Sequence, residues 1–188
     1  MIKHILNALF LIIFSYFLTG CAGNKMNDIP PEIPLVKQVD LTKYMGDWYV
    51  IAVIPTAIET EAHNAIENYK LNDDGTIATT FTFNKGAFDG KAKKYEPKGF
   101  IRPDTGNALW GMQFIWPIKA EYIIAYLDEN YQTTIIARNA RDYVWLMART
   151  PQISDAEYNK LTTLIKGWGY DMSKFVKVPQ QALSERRK

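Results

Sequence analysis

From Val39 onward the chain is a succession of short alternating segments cut apart by turn signals, and that punctuation limits its fold more than anything else in it. Residues 48–54 are β-branched and aromatic. Residues 65–71 run into Asn72-Asp73-Asp74-Gly75, a strong hairpin turn, and residues 76–83 leave it with Thr and Phe alternating. Residues 94–101 end at Arg102-Pro103-Asp104-Thr105-Gly106. Residues 108–116 and 121–127 follow, then 133–138 and 143–149 across short polar links. Connections this short make hairpins, and an antiparallel sheet of eight strands can close on itself, which removes its exposed edges. The expectation is an all-β chain: an eight-stranded antiparallel up-and-down β-barrel.

One helix is predicted after the strands. Ser154 with Glu157 forms a capping box, and Ile153 with Tyr158 a hydrophobic staple. Tyr158, Leu161, Leu164, Ile165 and Trp168 make an apolar stripe at helical spacing, and Gly167 is the expected C-cap. Such a stripe needs a surface, and the barrel's outer wall is the one available. Residues 175–178 are expected to add a short final strand.

The N-terminus reads as an address. Lys3 and His4 precede an apolar run over residues 5–18, too short for a comfortable membrane span. Leu18-Thr19-Gly20-Cys21 follows and resembles the bacterial lipobox; Cys21 is the only cysteine in 188 residues. The expectation is a lipoprotein signal peptide over residues 1–20, diacylglyceryl on Cys21, and a lipidated tether over residues 21–38 that is small, polar and Pro-containing. Ala22 where an inner-membrane lipoprotein typically carries Asp points, by resemblance, to the periplasmic leaflet of the outer membrane.

Composition excludes several functions. Net charge is only +2, and the one basic cluster, Arg186-Arg187-Lys188, reads as the end of a solvated tail over residues 179–188. No nucleic-acid surface is expected. Of the two histidines His4 lies in the leader and His63 has no His or Cys partner nearby, so no metal site is expected. The chain lacks a Gly-x-Ser-x-Gly elbow, a phosphate loop and a Cys/His pair, so neither catalysis nor a cofactor is expected.

Three motifs in order then carry a resemblance. Gly46-Asp47-Trp48 resembles the Gly-x-Trp signature that opens the first lipocalin strand; Asp128 and Tyr131 resemble the second signature, and Arg149 the third. Arg141-Asp142-Tyr143-Val144-Trp145 and Gly169-Tyr170-Asp171-Met172-Ser173-Lys174-Phe175 are similar to the bacterial outer-membrane branch. The resemblance spans residues 39–178, with departures at 57–63 and 108–119, near the expected mouth. It implies a calyx with one helix outside, Trp48 plugging the closed end, Arg149 lying across that indole, and a fatty acid or lysophospholipid as partner. Two rivals stay open: an envelope interaction protein with a solid interior, and a lipid-modifying enzyme. Self-pairing as a homodimer also stays open.

Strand alternation nominates the cavity wall. Taking Trp48 as inward puts Val50 and Ala52 with it. Tyr69 as an anchor brings Ala65 and Glu67 inward, although a shifted register would turn Glu67 to solvent. Ile77, Thr79, Phe81 and Phe83 share a face, as do Trp110, Met112, Phe114 and Trp116. Tyr122, Ile124 and Tyr126 follow, then Tyr143, Trp145 and Met147. An inward Glu67 would repel a fatty carboxylate unless one of the two is protonated, and would tolerate a choline or ethanolamine head.

Overall fold

A computed structural model describes residues 31–186; Cys21, the leader over 1–20 and most of the tether lie outside the described residues. A short helix α1 (Leu41–Tyr44) precedes strands β1 (Gly46–Ile54), β2 (Ala62–Leu71) and β3 (Ile77–Lys85). Strands β4 (Lys91–Tyr95), β5 (Lys98–Ile101), β6 (Leu109–Ile115) and β7 (Ile118–Leu127) come next. After β8 (Thr133–Ala137) and β9 (Val144–Ala148) the chain forms helix α2 (Asp155–Gly167) and strand β10 (Val176–Lys177). Neighbouring strands pair antiparallel in chain order, and β1 pairs with β9, which closes the barrel.

The fourth expected strand is two. Pro97 interrupts it because proline has no N–H to give the ladder. β4 pairs with the upper part of β3 and β5 with its start, so together they are one interrupted barrel strand among eight.

The closed end is built by the three signature motifs. Asp40 caps α1 by accepting from Thr42 N at 2.9 Å, and Trp48 Nε1 donates to Tyr44 O at 2.9 Å. Arg149 lies 3.8 Å from the centre of the Trp48 ring. Its guanidinium donates to the carbonyls of Lys43, Tyr44, Met45 and Asp47 at 2.7 to 3.0 Å, and to Tyr131 O at 3.3 Å. One cation thus satisfies carbonyls from two separate segments. Asp128 accepts from the backbone N–H groups of Asn130, Gln132 and Thr133, holding the β7–β8 turn in which Tyr131 takes a positive φ. Gly46, with φ of +91°, opens β1 in a backbone region that a Cβ disfavours.

Two apolar clusters separate inside from outside. The inner one holds Trp48, Val50, Tyr69, Phe81, Trp110, Tyr122 and Trp145. The outer one joins Ile51, Ile135 and Leu146 to Leu161 and Ile165 of α2. Ser154 caps α2, accepting from Glu157 N at 3.2 Å. Glu157 does not reach back as a capping box requires; its carboxylate accepts from Thr133 Oγ1 on β8 at 3.3 Å and so ties helix to barrel. The helix runs through Gly167, and the left-handed residue beyond it is Gly169, not Gly167.

The expected tail is partly structural. β10 pairs with the upper half of β1, and Gln180 Nε2 donates to Val50 O at 2.7 Å and Ala65 O at 2.9 Å. Residues 176–181 thereby fill the gap where β2 leaves β1. A side-chain amide can serve both strands there because neither has its ladder partner.

Replacing Arg149 by Ala strands these carbonyls and removes the cation over the indole, and is expected to cost about 3 kcal/mol. Arg149→Lys recovers less than half of that, because an ammonium cannot reproduce the planar fork. Urea unfolding followed by Trp fluorescence measures both; equal stability of all three proteins would contradict this role.

Candidate ligand cavity

The interior is graded from bottom to top. At the closed end Tyr44, Trp48, Tyr69, Trp110 and Tyr122 pack ring against ring, with centroids 5.1 to 6.4 Å apart. Tyr69 and Tyr122 hydroxyls share a short hydrogen bond. Above them Phe81 stacks on Trp145 at 5.8 Å. Open space starts at Tyr122 and Trp145: a cavity of about 600 Å³ reaches the open end, bounded by these two and by Thr56, Ile58, Tyr95, Met112, Phe114, Ala120 and Tyr143. That volume is ordinary for a site enclosing one small apolar molecule.

Most expected wall positions face inward. Val50, Ala65, Tyr69, Ile77, Phe81, Phe83, Trp110, Met112, Tyr122, Ile124, Trp145 and Met147 belong to the inner cluster. Thr79 is buried with its hydroxyl 3.8 Å from Met112 Sδ. Of these, Met112, Tyr122 and Trp145 border the open cavity, as does Tyr143 at the rim.

Three positions are corrected. Ala52 lies in the outer cluster, because β1 slips register between Val50 and Ala52: Val50 stands opposite Met147, but Ala52 stands opposite Leu146. The extra residue turns Ala52 outward and Val53 inward. Tyr126 is turned out by the same device on β7, where Ile124 faces Ile136 but Tyr126 faces Ile135. Trp116 is 83% exposed, at the tip of the β6–β7 hairpin, which carries it past the end of the barrel wall. Phe114, 42% exposed, stays on the cavity rim.

Glu67 faces inward. It stands opposite Trp48 and Phe81 and is fully buried. Neither carboxyl oxygen has a hydrogen-bond partner among the described residues. A second carboxyl, Glu59 from the β1–β2 loop, is also buried; it accepts from Trp145 Nε1 at 3.0 Å and Thr56 N at 2.9 Å. Burial raises the Glu67 pKa well above the carboxylate norm, and the charge of Glu59 pushes it further the same way. Burial likewise raises Glu59, against the hydrogen bonds from Thr56 and Trp145 that favour its charged form. Glu59 was invisible to alternation because it sits in a loop; its exposed sequence neighbours gave no sign that it folds back onto an indole.

The family described as "Lipocalin-like domain" matches residues 39–180. The chain belongs to the lipocalin family. Temperature-induced lipocalin-1 of Arabidopsis thaliana is 32% identical over 163 residues, covering 79% of this chain and 83% of the relative. "Outer membrane lipoprotein Blc" of Vibrio cholerae is 28% identical over 180 residues, covering 94% of this lipocalin and all of the relative's length, 100%. Among solved structures insecticyanin of the tobacco hornworm Manduca sexta aligns with a TM-score of 0.63 at 17% identity, covering 84% of this lipocalin and 88% of that chain. At that identity the likeness speaks for the fold. This lipocalin is Blc-like over nearly its whole length, and such barrels hold small hydrophobic ligands.

The raised carboxyl has a signed consequence. The folded state holds a proton on Glu67 at pH values where the unfolded chain has already released it. The contribution of this group to stability is therefore fully present at low pH and is lost as pH rises above the ordinary carboxylate range, by about 1.4 kcal/mol per unit, until the folded group ionises. Glu67→Gln should flatten the profile and raise the melting temperature at pH 7.5. Thermal unfolding from pH 4.5 to 8 tests it; parallel profiles for the two proteins would contradict a buried neutral Glu67.

Proposed function

We propose that this lipocalin is a lipid-anchored, non-enzymatic carrier on the periplasmic face of a bacterial outer membrane, holding one fatty acid or lysophospholipid in its upper barrel. The observation that carries the reading is the 600 Å³ cavity, whose wall is apolar and aromatic and whose one open end meets solvent. An acyl chain gains about 0.8 kcal/mol for each CH₂ it buries, enough for micromolar binding after association costs. The single cysteine of the chain, standing after Leu18-Thr19-Gly20, supports the anchor, and the name of the Vibrio cholerae relative supports the compartment.

The aromatic floor at Tyr122 and Trp145 limits the depth a tail can reach. A single-chain amphiphile with its polar head at the mouth fits this shape. The head then meets Tyr143 and the Arg138–Asp142 ion pair, 2.7 Å apart, at the rim, whereas Glu67 does not line the cavity. Head-out binding removes the conflict between a fatty carboxylate and Glu67, so both ligand classes stay within reach.

Titration with lysophosphatidylcholine and with oleate should quench Trp145 emission with micromolar or tighter affinity. Met112→Trp, which fills the cavity from β6, should weaken both by tenfold or more, about 1.4 kcal/mol. Flat titrations of the unaltered protein across acyl lipids would defeat the carrier reading and leave a packed envelope interaction protein.

A further inference from the structure

Two acidic side chains inside the barrel have no part in holding a lipid. Glu67 on β2 is 0% exposed, and neither of its carboxyl oxygens has a hydrogen-bond partner among the described residues. Burying a carboxyl in this way costs free energy that no neighbour returns, and an orphan of this kind calls for a functional account. Glu59 is 2% exposed and accepts from Trp145 Nε1 at 3.0 Å. The ionisable groups whose charges bear on Glu67 are Glu59 from the β1–β2 loop, Tyr44 of α1, Tyr69 on its own strand and Tyr122 of β7, every one an acid. Arg149 at the closed end acts on Tyr44 and Tyr69 and gives its donors to backbone carbonyls. Among the residues that bound the cavity the one cation is Arg138, and Asp142 neutralises it at 2.7 Å.

The orphan stands one ring behind the cavity floor. Phe81, opposite Glu67 on β3, stacks on Trp145 at 5.8 Å. Trp145 in turn meets Tyr122 edge to face at 6.2 Å and Tyr143 at 5.8 Å, and all three border the cavity. The floor is therefore a set of ring faces with two carboxyls directly beneath. An acyl chain is served as well by aliphatic walls. Ring faces are negative, and a charge behind them is felt strongly through a low dielectric, so this arrangement favours a cation.

We propose that the cavity floor is a proton-exchanging site for an apolar cation, a quaternary or protonated tertiary ammonium that stacks on Trp145 and Tyr122 and displaces the proton of Glu67. Without a positive charge beside it Glu67 keeps that proton, because burial and Glu59 both oppose its ionisation. A cation on the floor reverses the balance. The O–H bond of Glu67 breaks, the proton passes to bulk water, and no bond of the ligand changes. The interior gains one positive charge and loses another, so uptake adds no net charge to the barrel. Uptake is favoured as pH rises and release as pH falls. The inference rests on the carrier reading only in needing the 600 Å³ cavity to admit a ligand.

Three probes on one frame test it with the whole chain: phenylbutyl-trimethylammonium, its neutral isostere with carbon in place of nitrogen, and phenylpentanoate. Calorimetry at pH 7 in two buffers of different ionisation heat should show about one proton released per ammonium bound and none for the isostere. By Trp fluorescence the affinity for the ammonium relative to the isostere should climb from pH 6 to 8, approaching about tenfold per unit. It should exceed that for phenylpentanoate by about tenfold or more. Glu67→Gln should flatten the climb and abolish the proton release. Release that persists in Glu67→Gln, a ratio that stays level with pH in the unaltered protein, or equal binding of all three probes overturns the proposal. Oleate binding without ammonium binding sinks this inference and leaves the carrier reading standing; proton-linked ammonium binding with a flat oleate titration does the reverse. If neither oleate nor any probe binds, both fall.

Discussion

The stack of the Arg149 guanidinium on the Trp48 indole is what the rest of the barrel leans on. It joins the residue that directly follows β9 to the first strand and to α1, so the two ends of the barrel chain are locked at one point. Three of the carbonyls it gathers, on Lys43, Tyr44 and Met45, lie at the end of α1, outside any sheet ladder; the others come from Asp47 and from Tyr131 in the β7–β8 turn. A planar cation with five donors answers several acceptors at once and presents a flat face to a ring. With that end sealed and dry, the inner cluster can be aromatic down to its base, and the open space is displaced to the other end.

Two one-residue slips decide what the wall is made of. On β1 and on β7 an extra residue opposes one on the neighbouring strand, and beyond each slip the faces exchange. Ala52 and Tyr126, which the slips turn outward, belong to the same outer cluster as Leu161 and Ile165 of α2. The sharper local bend that a bulge brings suits a sheet curling into a small barrel and gives the helix a seat. The same chain therefore builds an inner and an outer core from strands that alternate perfectly only in part.

The polar interior is unusual for a space meant for an acyl chain. Glu67 is buried opposite Trp48 and Phe81 with both oxygens unpartnered among the described residues, and Glu59 reaches in from the loop above to an indole N–H. Burying such groups costs free energy that the surrounding packing must offset. Depth separates their roles: the buried pair lies among protein atoms, whereas the rim of Tyr143, Arg138 and Asp142 meets solvent and can meet a polar head.

What the sequence determined by itself was local. Turn dipeptides and alternation place eight strands, the Ser154 cap and apolar stripe place α2, and Gly46, Trp48, Asp128 and Arg149 are legible because each does a job no other residue type does as well. The inward face was legible wherever the pleat ran uninterrupted, as along β3. Ala52 and Tyr126 were misread because a bulge is chosen by the curvature of the closed sheet, a property of eight strands together and not of any one. Trp116 was misread because alternation says which side a ring faces but not whether a wall still stands there. Glu59 and Gln180 became interior or bridging groups only once distant segments met, since a loop residue's partner is fixed by the fold and not by its neighbours in the chain.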